Sequence, residues 1–128
     1  MRQDGSMFIL VGASDLRETL NTVSLCKLTL YECIAWHWDK TVHPFNHYNI
    51  LWVGLQDRYA VRRIVRNDVW YFKRQTRRVD DFIPMPEDLI EEMIKLTTEE
   101  GDIVLDIFGG IACPVAERMK RLYWGFNI

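Results

Sequence analysis

Gly101-Asp102-Ile103-Val104-Leu105-Asp106-Ile107-Phe108-Gly109-Gly110 is the stretch that decides the fold. Residues 103–108 form a near-continuous apolar run, and alternation is missing in strands buried on both faces of a parallel sheet. Two glycines then turn the chain, and Pro114 opens a helix whose inner face would be Val115, Met119 and Leu122. Residues 123–128 have the pattern of a next strand. Strand, glycine turn, helix and strand make a βαβ unit, which predicts the α/β class. A glycine turn at the carboxyl end of such a strand lets backbone N–H groups approach a ligand, although glycines that only turn the chain explain the pair equally well.

Working outward from this unit, residues 86–96 predict a helix. Proline suits its first position, Glu87 and Asp88 complement the N-terminal dipole, and Leu89, Ile90, Met93 and Ile94 share one apolar face. Near the start of the chain, residues 7–11 (Met-Phe-Ile-Leu-Val) read as a buried strand. Ser14 offers a cap for a following helix that carries Leu16, Leu20 and Val23 at helical spacing. Residues 28–38 are rich in β-formers but do not choose cleanly between strand and helix. Residues 39–46, with Pro44, predict a loop, and residues 48–55 and 69–73 predict two short strands.

At 128 residues the chain suits one compact domain, and 48% hydrophobic against 27% charged residues excludes a disordered composition. No apolar run reaches the roughly 20 residues of a membrane helix, and residues 1–6 lack the order of a secretory signal, so a cytoplasmic protein is expected. Cys26, Cys33 and Cys113 are odd in number and unpaired in spacing, which predicts buried thiols rather than zinc or disulfides. His37, His43 and His47 suggest a metal, but Pro44 breaks the helix that a four-residue spacing would need, so no metal site is assigned.

The net charge of −2 hides a strong asymmetry. Residues 58–78 hold eight basic side chains against Asp68 alone, a net +7, whereas residues 80–128 hold eleven acids against four bases. Arg62, Arg63, Arg74 and Arg77, interleaved with Tyr59, Trp70, Tyr71 and Phe72, are the candidates for nucleic-acid contact, since guanidinium groups meet phosphates and aromatic rings stack on extruded bases. A solvated basic face paired with the acidic C-terminal half is the alternative.

The run from Thr97 through Gly110, followed by Ala116, Arg121, Tyr123, Trp124 and Gly125, resembles the cofactor-binding end of DNA amino-methyltransferases, the adenine-N6 and cytosine-N4 enzymes, in their permuted branch. That family's motif reads Gly-Asp-x-Val-Leu-Asp-Pro-Phe-x-Gly-Ser-Gly-Thr-Thr, then a helix, then Arg-x-x-x-Gly-x-Glu. Phe82-Ile83-Pro84-Met85-Pro86-Glu87-Asp88-Leu89 resembles the segment that precedes it, and residues 4–12, 34–36, 47–51 and 69–73 are more loosely similar to its later strands. The resemblance implies an incomplete Rossmann-like S-adenosylmethionine-dependent methyltransferase sheet with flanking helices, a single truncated domain over residues 1–128. It places Asp106 near the methionine amine of S-adenosylmethionine, Phe108, Gly109 and Gly110 beneath the methionine and ribose, and Asn127 at the ribose hydroxyls.

Three departures qualify what the resemblance implies. Ser-Gly-Thr-Thr reads Ile111-Ala112-Cys113-Pro114 here, and Pro114 removes one N–H from the helix start. Asn127 stands where the family has a carboxylate, a stronger acceptor than an amide. Family members also hold the target amine on a polar residue followed by Pro-Pro and an aromatic, whereas Pro44, Pro84, Pro86 and Pro114 are never adjacent. Weak or lost cofactor binding, no catalytic residue, and no activity in isolation are therefore expected. The loop's absence removes a central strand, which predicts altered pairing or self-association. The other reading is a non-catalytic subunit that uses the same scaffold to bind nucleic acid or a complete methyltransferase. A plain dinucleotide binder is disfavoured, because no full Gly-x-Gly-x-x-Gly occurs.

Overall fold

The computed structural model describes residues 3–38, 47–57, 67–73, 85–107 and 111–126. The chain divides into two compact units, Met1–Lys73 and Arg74–Ile128. The first holds strand β1 (Ser6–Val11), a 3-10 turn (Ala13–Asp15), helix α1 (Leu16–Leu25) and strands β2 (Thr29–His37), β3 (His47–Gly54) and β4 (Val69–Tyr71). The second holds helix α2 (Glu87–Thr97), strand β5 (Ile103–Asp106), helix α3 (Ala112–Arg118) and strand β6 (Leu122–Gly125). This is the mixed α/β architecture expected from the sequence.

In the first unit the sheet order is β1-β3-β2-β4. β3 runs antiparallel to both β1 and β2, and the short β4 runs parallel to β2. The register aligns Met7 with Val53, Ile9 with Leu51 and Val11 with Asn49, so one set of alternate side chains faces α1. Val11, Val23, Leu51 and Val53 form the buried centre there, ringed by Met7, Ile9, Leu16, Leu20, Leu28 and Cys33. Each such side chain removed from water contributes about 1.5–3 kcal/mol. The helical spacing of Leu16, Leu20 and Val23 thus performs as expected. Ser14, however, lies within the 3-10 turn, and Asp15 occupies the cap position with no side-chain cap bond. The tighter turn satisfies the entry backbone instead, through the Asp15 N–H to the Gly12 carbonyl at 3.2 Å.

The opposite face of this sheet is aromatic. Trp36 is fully buried, donates its indole N–H to the Phe72 carbonyl at 2.9 Å, and meets Trp38 edge-on with centroids 5.3 Å apart. Tyr48 lies 6.2 Å from Trp36 and 5.3 Å from Trp38. The ambiguous stretch at residues 28–38 resolves to a strand because these rings find partners only across a pleated surface. A bulge between Leu30 and Glu32 swings Tyr31 over Gly54, where its ring meets Trp52 edge-on at 5.3 Å.

In the second unit β5 and β6 pair in parallel, with α3 as the crossover between them. Leu89, Ile90, Met93 and Ile94 of α2 are buried, as their spacing predicts. Pro86 sits at the cap of α2 rather than at its first helical position, with extended backbone, and its carbonyl accepts the Leu89 N–H at 3.1 Å. Two further corrections concern the βαβ unit. α3 ends at Arg118, so its buried residues are Val115 and Ala116, while Leu122 belongs to β6 and is exposed. β5 is not buried on both faces either: Ile103 is 67% and Leu105 54% exposed. The apolar run predicts a strand covered on both faces, whereas β5 pairs with β6 alone among the described residues.

Candidate functional site

Of the residues expected to contact the methyl donor and of the four candidate arginines, Asp106 is the one among those described. Phe108, Gly109, Gly110 and Asn127 lie outside the described residues, as do Arg62, Arg63, Arg74 and Arg77. Asp106 is the last residue of β5, and its carboxylate Oδ2 accepts the backbone N–H of Ala112, the first residue of α3, at 2.9 Å. A charged acceptor bonded across a turn holds the strand end and the helix start at fixed separation. A side-chain bond thus ties the end of β5 to the start of α3.

Strand ladder and crossover reinforce that arrangement. The Phe126 N–H donates to the Asp106 carbonyl at 3.1 Å, extending the β5–β6 pairing past Gly125. Arg121, one residue before β6, places its guanidinium against three acceptors. Nε donates to Thr98 Oγ1 at 3.0 Å, Nη2 to the Thr98 carbonyl at 2.8 Å, and Nη1 to the Met119 carbonyl at 2.8 Å. Arg118 reaches back from α3 to Glu87 at 3.3 Å and Glu91 at 3.5 Å on α2. The motif contains Arg121 but does not reveal this role, because two of its three acceptors are backbone carbonyls that no residue type announces.

The donor set at the start of α3 is sparse. The Ala112 N–H is taken by Asp106, and Pro114 has none. Cys113 stands beside them, half-buried, and burial first and the Asp106 carboxylate second push its thiol above the ordinary value. A neutral thiol there is a weak nucleophile. The three cysteines do not share the burial expected of them: Cys26 is exposed, and Cys33 and Cys113 are half-buried.

The described histidines and the described aromatics of the basic segment lie in the first unit. His37 stacks on Tyr71 with centroids 5.5 Å apart and faces His47 across the β2–β3 ladder, while His43 lies outside the described residues. Among the described residues no three metal-ligating side chains converge. Of the aromatics near the basic segment, Tyr71 is 60% exposed, whereas Trp70 bonds the Asn67 carbonyl at 2.8 Å and meets Phe72 edge-on. No described helix is long and apolar enough to cross a membrane.

Comparison with known proteins agrees with this geometry. A family model described as DNA methylase, for the N6 and N4 enzymes, matches residues 29–128. The type II methyltransferase M.BglII of Bacillus subtilis is 40% identical over 67 residues, covering 48% of this chain and 19% of that protein. Among solved structures, the cytosine-N4-specific PvuII DNA methyltransferase superposes with a TM-score of 0.79 at 18% identity, over 100% of this chain and 61% of that one. The M1.HpyAVI complex with SAM gives 0.77 at 16% identity, over 99% of this chain and 70% of that one. The chain thus spans less than two thirds of the PvuII enzyme and a fifth of the curated relative. With a parallel strand–turn–helix closed by Asp106 and a family match over most of its length, the chain belongs to the DNA methylase family of amino-methyltransferases.

Proposed function

We propose that the chain is a DNA methyltransferase-like domain of the adenine-N6 or cytosine-N4 type, with a partial S-adenosylmethionine site and no activity by itself. The observation that carries this reading is the Asp106 carboxylate at the end of β5, bonded to the first N–H of α3. A carboxylate there suits the cationic amine of a methionine moiety, so the described part of the site fits the donor at one point. It fits poorly at another, since Ala112 and Pro114 leave few N–H groups for the donor's carboxylate. Weak affinity is the consequence. When bound, the donor would supply an electrophilic methyl group.

Absence of adjacent prolines, and hence of the loop that grips the acceptor amine, supports inactivity in isolation. The reading includes one domain formed by both units, a cytoplasmic location, phosphate contact by Arg62, Arg63, Arg74 and Arg77, and donor contact by Phe108, Gly109, Gly110 and Asn127. Calorimetric titration with S-adenosylmethionine tests the site: weak binding that disappears in Asp106→Ala supports it, and tight binding indifferent to that change refutes it. Transfer of labelled methyl groups to DNA by the isolated chain would refute the inactivity.

A second reading is favoured by the concentrated positive charge of residues 58–78: a non-catalytic subunit that binds nucleic acid or a complete methyltransferase. DNA affinity that falls steeply with salt and is lost on replacing the four arginines, with no donor binding, would select it.

A further inference from the structure

The parallel register pairs Ile103 with Leu122 and Leu105 with Trp124. Paired residues of adjacent strands project to the same side, and Ile107 and Phe126 follow directly after the two strands. Four large apolar side chains therefore share one face of the β5–β6 sheet, with Ile107 and Phe126 at its carboxyl edge. Their exposures are 67% for Ile103, 54% for Leu105, 46% for Ile107, 61% for Leu122, 70% for Trp124 and 51% for Phe126. No charged residue interrupts them. Asp106, the charged residue of these strands, alternates to the other side and bonds α3 there.

We propose that this bare sheet face is the contact surface for a second copy of the chain. Parallel sheets are ordinarily covered on both faces, and monomers rarely expose a contiguous apolar patch of more than a few hundred Å2. The six side chains together offer on the order of 700 Å2 of apolar surface, close to the roughly 800 Å2 each partner contributes to a standard stable interface. A second copy brings an identical uncharged patch, so a two-fold contact buries no charge on either side. Trp124, at the centre of the patch and the most exposed of the six, has the character of an interface anchor. The inference goes beyond the proposed function and does not depend on it: a chain that binds neither methyl donor nor DNA would pair in the same way.

Sedimentation velocity from micromolar to submillimolar concentration tests the proposal. The expected result is a monomer–dimer equilibrium in which Leu105→Asp and Trp124→Asp each weaken association by at least about tenfold. Leu25→Asp, at an apolar position of α1 that is 84% exposed, should leave it unchanged. Far-ultraviolet circular dichroism of each variant checks that the fold persists. As a second measurement that needs no charged variant, the iodide-quenchable emission assigned to Trp124 by difference from Trp124→Phe should become protected as the dimer forms. A chain that stays monomeric throughout the range overturns the proposal and leaves the face to a different polypeptide. A dimer equally insensitive to Leu105→Asp and Trp124→Asp, with Trp124 still quenchable, also overturns it.

Discussion

The carboxylate of Asp106 accepts the backbone N–H of Ala112 at 2.9 Å, so one side chain spans the turn that joins β5 to α3. Replacing it with alanine should cost about 1.5–3 kcal/mol, the range for a hydrogen bond to a charged group. Asp106→Asn keeps a neutral acceptor and should lose roughly half as much. Urea unfolding at neutral pH measures both, and equal midpoints for wild type and Asp106→Ala would show that the bond contributes nothing.

Arg121 is a clamp. Its guanidinium joins the end of α2 to the turn before β6 through Thr98 and Met119. Lysine keeps the charge but cannot meet three acceptors in fixed directions, so Arg121→Lys should destabilise the fold by about 1–3 kcal/mol. Hydrogen exchange should quicken at Gly101, whose N–H donates to the Lys120 carbonyl at 3.0 Å.

Gly54 is required by its neighbour. A Cβ built there would lie 2.5 Å from Cε2 and 2.6 Å from Cζ of Tyr31, whose hydroxyl oxygen is held by the Gln56 N–H at 2.8 Å. Gly54→Ala should therefore cost about 1–3 kcal/mol, as overpacking does. In a Tyr31→Ala background the penalty should shrink, and a double-mutant cycle with no coupling would disprove the contact.

Lys120 holds φ at 64°, a left-handed backbone that a Cβ disfavours. Glycine removes that penalty just past the end of α3, so Lys120→Gly should stabilise by up to about 1 kcal/mol. Thermal melts provide the check.

Burial, with Glu32 and Asp68 adding to it, pushes the Cys33 thiol above its ordinary value of 9.0. The unfolded thiol then ionises first, so its stabilising effect is complete below about pH 9 and is lost as pH rises through the folded value. Iodoacetamide near pH 9 should modify the exposed Cys26 well before Cys33, with mass spectrometry of the peptides as readout.

Elements were legible in the sequence wherever periodicity had one physical cause. Leu16, Leu20 and Val23 on α1 and Leu89, Ile90, Met93 and Ile94 on α2 announced helices because a 3.6-residue period buries one face. Asp106 is a candidate site residue through its place in a motif, but its bond to Ala112 is not legible there, since the partner is a backbone group. The exposure of β5 is hidden from the sequence for a related reason. Ile103, Val104 and Leu105 look like a doubly buried strand, and composition does not reveal whether the second covering layer is present. The cap at Ser14 failed because a 3-10 turn satisfied the same donors by another route.

The left-handed turn at Lys120 also fixes which way β6 shows its side chains. Because alternate residues face opposite ways, deleting one residue between α3 and Leu122 would turn Trp124 inward and present Tyr123 and Gly125 outward. A single-codon loss there would turn the strand inside out, so the length of this short connection is as much a part of the fold as the Arg121 side chain it carries.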